Sequence, residues 1–152
     1  MIPFALSALV PLAATWVEEQ QARILAAGVA LTPQQSFDAH LVGVKDPGKV
    51  RLLKMDFIPL PENPVLRKAN ELFKLVSPVT AGITFGYGIY IRDDSWGDRP
   101  LVVHELVHVG QYERYGSVNA FLRDYLDECL TIGYPNGPLE QEAILKSKEV
   151  CS

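Results

Sequence analysis

The chain has 152 residues, of which 48% are hydrophobic and 21% are charged, and its formal net charge at pH 7 is −4. This length and composition are typical of one globular domain that can bury a hydrophobic core without disulfide bonds. The small negative charge excludes an extensively basic protein, so we expect no nucleic acid among its partners.

The first fifteen residues carry no charge, yet they make a poor export signal. A signal peptide has Lys or Arg ahead of its apolar run, whereas the first charged residue here is Glu18, and Pro3 and Pro11 interrupt the segment. The segment is also too short to span a bilayer. We therefore expect it to pack in the core of a cytoplasmic protein, with export or membrane contact as the alternative.

The first two helices are predicted before residue 42. Pro11 suits the first turn of a helix that ends at Gly28, and a short helix is expected at about Gln35–Leu41. His40 lies in this short helix and has no second ligand nearby at the spacing of a metal site. We expect it to be a surface or core histidine.

A strand and a third helix follow. Imperfect alternation of apolar residues predicts a strand within Lys49–Ile58. Asn63 and Pro64 then open a helix that is expected to end near Pro78. The apolar face predicted for this helix consists of Val65, Leu66, Ala69, Leu72, Phe73 and Val76.

The stretch Thr80–Arg92 alternates cleanly and predicts an edge strand. Its expected apolar face consists of Ile83, Phe85, Tyr87, Ile89 and Ile91. Glycines on the opposite face weaken a strand, and close approach by another backbone is one reason to find them there. We expect Gly86, Tyr87 and Gly88 to bind an extended peptide by strand addition, with a bulge or a hairpin bend as the alternative.

Leu101–Gly116 is the most informative stretch of the chain. It holds two of the three histidines, His104 and His108, and Glu105 directly follows the first. Residues four apart share one face of a helix, so both imidazoles can bind one metal ion, and His-Glu-x-x-His is the signature of zinc peptidases. The surrounding apolar residues predict a buried helix, in which polar groups need partners. A structural helix whose histidines bond to backbone carbonyls is the alternative.

Three helices are expected in the last third of the chain. Asp98 and Pro100 start the histidine helix, and Gly116 ends it. Ser117 caps the second helix, and the third runs from Leu139 to about Val150.

The two cysteines, Cys129 and Cys151, lack the close paired spacing of a cysteine zinc site or of a redox motif. We expect Cys129 to pack within its helix and Cys151 to be a free thiol near the C-terminus. A disulfide between them, which would require the tail to fold back, is the alternative.

A third metal ligand is needed, because a catalytic zinc site usually has three protein ligands and a fourth position for water. No histidine follows His108, so a carboxylate must serve, and Glu140 and Glu142 are the candidates. Their helical faces comprise Ala143, Ile144 and Ser147 for Glu140, and Leu145, Lys146 and Glu149 for Glu142. The first face is easier to bury, so we expect Glu140 to be the ligand and Glu142 to be exposed. Acidic residues placed in a first turn for the helix dipole are the alternative.

The order His-Glu-x-x-His, an intervening helix and Glu-x-x-Ala resembles the gluzincin branch of zinc peptidases, which includes thermolysin. Within that branch, the chain resembles minimal single-domain forms found among small bacterial proteins. The specific resemblance runs from about Gly82 to Ala143 and covers the first eighty residues only weakly. It implies a zincin-like α+β domain over residues 1–152, mostly helical, with a small sheet whose edge strand (about 82–92) precedes the histidine helix.

The resemblance also implies a chemistry. His104, His108 and Glu140 would bind one Zn²⁺, and Glu105 would be the general base in the hydrolysis of a peptide or protein substrate. Gluzincins often have an aspartate directly after the Ala or Ser of the glutamate motif, where it orients a ligand histidine, but this chain has Ile144. The orienting group must then come from elsewhere, or the metal is held more weakly.

Peptide hydrolysis further requires a hydrogen-bond donor for the tetrahedral oxyanion. Tyr134, directly before the glutamate helix, is a candidate, as are Tyr112 and Tyr115, with simple packing as the alternative. Two other functions stay open at this point. One is a non-catalytic zinc-binding or protein-interaction module, and the other is hydrolysis of a non-peptide amide. A narrow substrate range or the need for a partner protein would suit so small a chain.

Overall fold

Residues 3–73, 75–77 and 79–152 are described by the computed structural model of the chain. Within those ranges it has six α-helices: α1 (Pro3–Ala27), α2 (Pro33–Leu41), α3 (Pro64–Phe73), α4 (Arg99–Tyr115), α5 (Val118–Thr131) and α6 (Pro138–Cys151). Four strands form one mixed sheet: β1 (Val29–Ala30), β2 (Arg51–Met55), β3 (Gly82–Phe85) and β4 (Gly88–Arg92). The predicted α+β class, mostly helical with a small sheet, is confirmed.

The first helix starts earlier than predicted. α1 begins at Pro3 and passes through Pro11, which was expected to open it. A proline inside a helix removes one backbone hydrogen bond, and burial of the neighbouring residues offsets that loss here. Leu9, Val10 and Ala13 are all buried, which confirms that this part of the uncharged segment packs in the core. Met1 and Ile2 lie outside the described residues, and no helix in the described ranges is long and apolar enough to cross a membrane.

The sheet has the strand order β1-β2-β4-β3, which puts β3 at an edge. β2 and β4 pair in parallel, with Leu52 opposite Ile89, while β1 and β3 each run antiparallel to their neighbour. β3 precedes the histidine helix, α4, in the chain and lies beside it in space. The edge strand predicted before the histidine helix is therefore present.

The glycine-bearing stretch forms a hairpin of two strands rather than one strand. Phe85 pairs with Gly88 across a tight turn, in which Gly86 has a φ of 65°. Positive φ favours glycine, and a Cβ at Gly86 would also clash with the side chain of Gln21. A Cβ at Gly88 would lie 2.9 Å from the Cβ of Ile24. The hairpin alternative explains these glycines through the turn and the packing of α1.

The turn also splits the apolar face predicted for this stretch. Ile83 lies opposite Tyr90, and Thr84 lies opposite Ile89. Ile83, Phe85 and Tyr90 therefore pack with the core residues of α1 and α5. Ile89 and Ile91 face the other way, into a second cluster formed with α2, α4 and α6. A two-residue turn reverses the chain, so alternation counted straight through it assigns the second strand to the wrong face.

The strand predicted within Lys49–Ile58 is present as β2, which ends at Met55. The apolar face predicted for α3 needs correction. Of the apolar face predicted for α3, Leu66 is buried, whereas Val65 and Leu72 are 51% and 68% exposed. Helical spacing alone does not show which apolar residues find a neighbour to pack against. Pro78, where α3 was expected to end, and the side chain of Phe73 lie outside the described part of the chain.

The predicted boundaries of the last three helices are confirmed. The carboxylate of Asp98 caps α4 by accepting a hydrogen bond from the backbone of Leu101 at 3.1 Å. Gly116 ends α4 in the left-handed conformation, with a φ of 81°. Ser117 caps α5 through the backbone of Ala120, also at 3.1 Å. These contacts act within one turn, which is why local sequence was enough to predict them.

The cysteines lie where the helices place them. Cys129 is buried in α5, as predicted, and Cys151 is the last residue of α6, where it is half-buried. Both are free thiols. α4 itself is deeply buried, with Val103, Leu106 and Val107 fully enclosed, as its composition predicted.

Candidate metal centre

Two helices bring three candidate ligands together. The Nε2 atom of His104 lies 2.7 Å from Oε2 of Glu140, and the Nε2 atom of His108 lies 3.1 Å from Oε1 of the same carboxylate. One ligand atom from each of these side chains lies within 4.8 Å of the other two. α4 supplies both histidines from one face, and α6 supplies the glutamate. The three residues thus form a group that can hold a metal ion.

The burial of α6 separates the two candidate glutamates. Glu140 is buried together with Ala143 and Ser147, which share its face. Glu142 was expected to be exposed, but it is half-buried. It forms ion pairs of 2.8 Å with Arg114 and 2.7 Å with Lys146. The carboxylate of Glu142 is therefore paired with these two basic side chains, while that of Glu140 faces the two histidines.

The Glu140 carboxylate is ionised despite its burial. Burial by itself raises the pKa of a carboxyl, but hydrogen bonds from His104 and His108 outweigh it and hold the pKa of Glu140 well below its usual range. The hydroxyl of Tyr125 donates a third hydrogen bond, at 3.0 Å, to Oε1 of Glu140. Burial opposes protonation of His108, yet its contact with Glu140 and the nearby charge of Glu105 raise its pKa. This is a buried anion that needs a cation beside it, either a protonated imidazole or a metal ion.

Gln111 orients one of the candidate ligand histidines, a role that no sequence motif indicated. Its amide nitrogen donates to the carbonyl of Leu139 at 2.9 Å and to the carboxylate of Glu142 at 2.8 Å. These two acceptors fix the amide, so its oxygen must face the Nδ1 atom of His108, at 2.8 Å. Nδ1 then carries a proton, and Nε2 faces Glu140, to which it donates when the ring is protonated. Once deprotonated, Nε2 is the nitrogen that can offer a lone pair to a metal ion.

The orienting group that the gluzincin resemblance left open is thus present in this chain. Ile144 stands where an aspartate is common, and Gln111 performs the role from α4 instead, three residues after His108. The signal was available in the sequence, because residues three apart on a helix are neighbours. The residues of α6 that anchor Gln111, by contrast, could not be identified from the sequence.

Glu105 is held next to the triad by the edge strand. Its side chain is 5% exposed, and one carboxylate oxygen accepts a hydrogen bond of 2.8 Å from the hydroxyl of Thr84. The same hydroxyl lies 3.0 Å from the backbone oxygen of Glu105. Thr84 therefore fastens β3 to α4 and orients the carboxylate. No local signal in the sequence pointed to Thr84, because it lies in a different element from Glu105.

The three candidate oxyanion donors have different surroundings. The hydroxyl of Tyr115 donates to Asp124 at 2.6 Å, and that of buried Tyr112 lies 3.5 Å from the carbonyl of Thr84. Tyr134 lines the cavity beside the triad, where partial burial and the nearby carboxylates raise its pKa to about 12. Its hydroxyl therefore keeps its proton at neutral pH, as a donor must.

The residues predicted to bind substrate lie at the hairpin turn. The backbone N–H of Tyr87 donates to the side chain of Gln21 at 2.8 Å, and its hydroxyl donates to Glu113 at 2.8 Å. Among the described residues, the cavity beside the triad is lined by Gly82–Phe85 of the same hairpin rather than by Gly86, Tyr87 or Gly88. Peptide binding at the turn stays a prediction. His40 is exposed at the end of α2, as a surface histidine would be.

Comparisons with protein-family models, curated protein sequences and solved structures found no match to this chain. What the molecule offers is a helical fold with a small mixed sheet and a His104, His108 and Glu140 triad, consistent with a metal site of the His-Glu-x-x-His type.

Proposed function

We propose that this protein is a zinc-dependent metallopeptidase of the gluzincin type, in which Glu105 is the general base. The convergence of His104, His108 and Glu140 at ligand distance, with Glu105 anchored beside them, carries the proposal. A purely structural metal site would need no carboxylate at the position of Glu105.

The donor set suits zinc. Two imidazole nitrogens and one carboxylate are a common ligand set of catalytic zinc sites, and they leave a fourth position for water. Gln111 keeps a proton on Nδ1 of His108, so the nitrogen left to bind a metal, once deprotonated, is Nε2 on the side of Glu140. Glu140 is ionised, and it adds the negative charge that a divalent cation requires. Bound there, zinc would supply a Lewis acid that polarises the scissile carbonyl and acidifies the attacking water.

The protein's own groups carry the proton. Glu105 accepts it from the attacking water and delivers it to the leaving amine, which needs a carboxylate that keeps one orientation through both transfers. The hydrogen bond from Thr84 provides that orientation. Tyr134, which lines the same cavity, would donate to the oxyanion that forms on the substrate.

The substrate would lie along β3. This strand is at the edge of the sheet and lines the cavity beside the triad, so an extended peptide can pair with its outer side. In this arrangement the turn at Gly86–Gly88 would meet one end of the peptide. The pairing places a scissile bond alongside α4, because Thr84 of β3 directly contacts Glu105 of α4.

A peptide-library digestion with the Glu105→Gln variant tests the function. The zinc-loaded wild type should cleave a subset of peptides, and Glu105→Gln should lose cleavage while it keeps one zinc per chain. The exposed Glu149→Gln change is the matched control and should leave both unchanged. Full activity in Glu105→Gln would exclude Glu105 as the base. Bound zinc with no cleavage by wild type would point to the non-catalytic module.

A further inference from the structure

The cavity beside the triad extends into the core between α1 and α5, two helices that carry none of the candidate metal ligands. Its volume is about 170 Å³. α1 contributes Ala13, Trp16 and Val17 to its walls, and α5 contributes Phe121 and Leu122. The triad and Glu105 lie in the same lining, so a group inside the cavity is next to the candidate metal centre. The walls therefore decide which substrate group fits beside the reacting bond.

Two polar side chains in these walls, away from the triad, hydrogen-bond to the protein's own backbone. The amide of Asn70 donates to the carbonyl of Val76 at 2.8 Å and accepts from its N–H at 2.9 Å. The hydroxyl oxygen of Thr80 accepts from the backbone of Ser77 at 2.9 Å. Among the described lining residues there is no Lys or Arg, and the only carboxylates are Glu105 and Glu140. A charged or polar side chain would find no partner in the apolar part, and burying it unpaired would be unfavourable.

Aromatic rings face this space from two sides. Trp16 and Phe85 meet edge to face, with ring centroids 5.1 Å apart. On the α5 side, Phe121 is stacked on Tyr125 at 5.4 Å and lies 4.0 Å from the ring of Tyr112. These rings give the cavity apolar, aromatic walls, and a ring packed against them would gain more than the burial of its area alone. Size sets the limit, because an apolar cavity of about 150 Å³ is filled by one benzene molecule.

We infer that this cavity is a specificity pocket for one aromatic side chain of phenylalanine size, carried by the residue next to the scissile bond. The role of this cavity in substrate specificity rests on the proposed peptidase function. The binding of a single aromatic ring between α1 and α5, however, requires neither zinc nor turnover. Binding and cleavage can therefore be tested separately.

Ring binding can be followed through Trp16, which is one of two tryptophans in the chain. Trp96 lies away from the cavity lining, under the ammonium of Lys54, so Trp96→Phe leaves Trp16 as the only tryptophan. In that protein, bromobenzene should quench the fluorescence saturably, with half-saturation on the order of 1 mM or below. Adding Ala13→Phe should fill the pocket and weaken binding at least tenfold. Ala22→Phe, on an exposed position of the same helix, should not change it.

Quenching that rises linearly and equally in all three proteins would overturn the inference. A size comparison in the Trp96→Phe protein alone keeps the test valid if Ala13→Phe fails to fold. There, 1-bromonaphthalene should bind more weakly than bromobenzene, since two fused rings exceed the cavity. Equal or tighter binding of the larger probe would also contradict a pocket for a single ring.

Cleavage then tests the role in specificity. Peptides that differ only in Phe or Ala next to the scissile bond should differ in kcat/KM by about 10- to 100-fold in favour of Phe, the range expected for burying that side chain. Equal rates would overturn the specificity role while the peptidase function stands. Saturable bromobenzene binding without cleavage of any peptide would instead support the aromatic pocket and remove the proposed function.

Discussion

The Nδ1 atom of His108 lies 2.8 Å from the amide oxygen of Gln111, one turn later on α4. Gln111 is fully buried, and both hydrogens of its amide are bound on α6, by Leu139 and Glu142. The orientation of one candidate ligand is therefore set by the packing of α6 on α4. The same packing brings in Glu140, so the two helices position the third candidate ligand and the second histidine together.

Gln111→Leu should weaken zinc binding about 10- to 100-fold, the usual cost of losing the hydrogen-bond partner of a ligand histidine. Leucine has nearly the same volume but offers no acceptor to Nδ1 of His108. Zinc affinity is measured by competition with a chromogenic chelator. Gln141→Leu is the control, because that side-chain amide donates to the carbonyl of Pro135 on the surface and its loss should leave affinity unchanged. An unaltered dissociation constant in a folded Gln111→Leu protein would contradict the orienting role.

Glu140→Ala and Glu142→Ala should weaken zinc binding to very different extents. Removing Glu140 deletes a ligand, and we expect stoichiometric zinc binding to be lost. Removing Glu142 takes away one of two anchors of Gln111 and one partner of Arg114, so a loss of about tenfold is expected. Titrating both metal-free variants with zinc compares them directly. Equal losses would refute the assignment of Glu140 as the ligand.

As the pH is lowered, zinc affinity should begin to fall at a higher pH than in a site whose histidines have ordinary pKa values. The pKa of His108 is raised by its acidic neighbours against the effect of burial, so a proton competes with the metal at a higher pH than the usual value of about 6.5. Glu140 does not compete, because its lowered pKa keeps it ionised throughout. Affinity measured between about pH 8 and pH 5.5 should decline as the pH falls through the raised pKa of His108. A constant affinity across that range would rule out this competition.

Thr84→Val should lower kcat/KM at unchanged zinc content. Valine preserves the shape of the β-branched side chain but removes the hydroxyl that donates to Glu105 at 2.8 Å. Loss of a hydrogen bond to a charged group predicts about a 10- to 100-fold effect, provided that the bond persists in the transition state. Thr131→Val is the control, since that hydroxyl bonds within α5 to Asp127. If Thr84→Val kept full activity, Glu105 would not depend on β3 for its orientation.

Asp38 should make the fold sensitive to acid. Its buried carboxylate accepts two hydrogen bonds of 2.9 Å from Arg99 at the start of α4, and this contact lowers its pKa although burial opposes the shift. A lowered folded-state pKa contributes stability that is present above the unfolded value of about 3.9 and is lost as pH falls through the folded value. We expect Asp38→Asn to cost about 2 kcal/mol in urea unfolding at pH 7.

The same comparison at low pH checks the sign of this effect. The difference between wild type and Asp38→Asn should shrink below about pH 4, where the wild-type carboxyl takes up its proton. Asp56→Asn, at an exposed position, should change stability little at either pH. A difference that grew on acidification would contradict the assigned direction of the pKa shift.

Local signals predicted much of what surrounds the site. The caps at Asp98, Gly116 and Ser117 act over three or four residues, and the structure has each where the sequence placed it. The choice of Glu140 over Glu142 also came from local information, because a helical face is determined by spacing alone. Where two elements meet, local information failed. Alternation followed straight through Gly86 assigned the apolar residues of β4 to the wrong face, because alternation does not reveal where the chain turns back.

The sequence by itself determined that His104, Glu105 and His108 share one buried helix, because helical periodicity and hydrophobic composition are properties of a short segment. Only the tertiary structure decided what holds those groups in place. Thr84 precedes Glu105 by 21 residues, and Gln111 finds its anchors 28 and 31 residues further along, on α6. The cavity beside the triad likewise depends on how α1 and α5 pack around β3. Such contacts follow from how distant elements pack, and no local repeat in the chain specifies that packing.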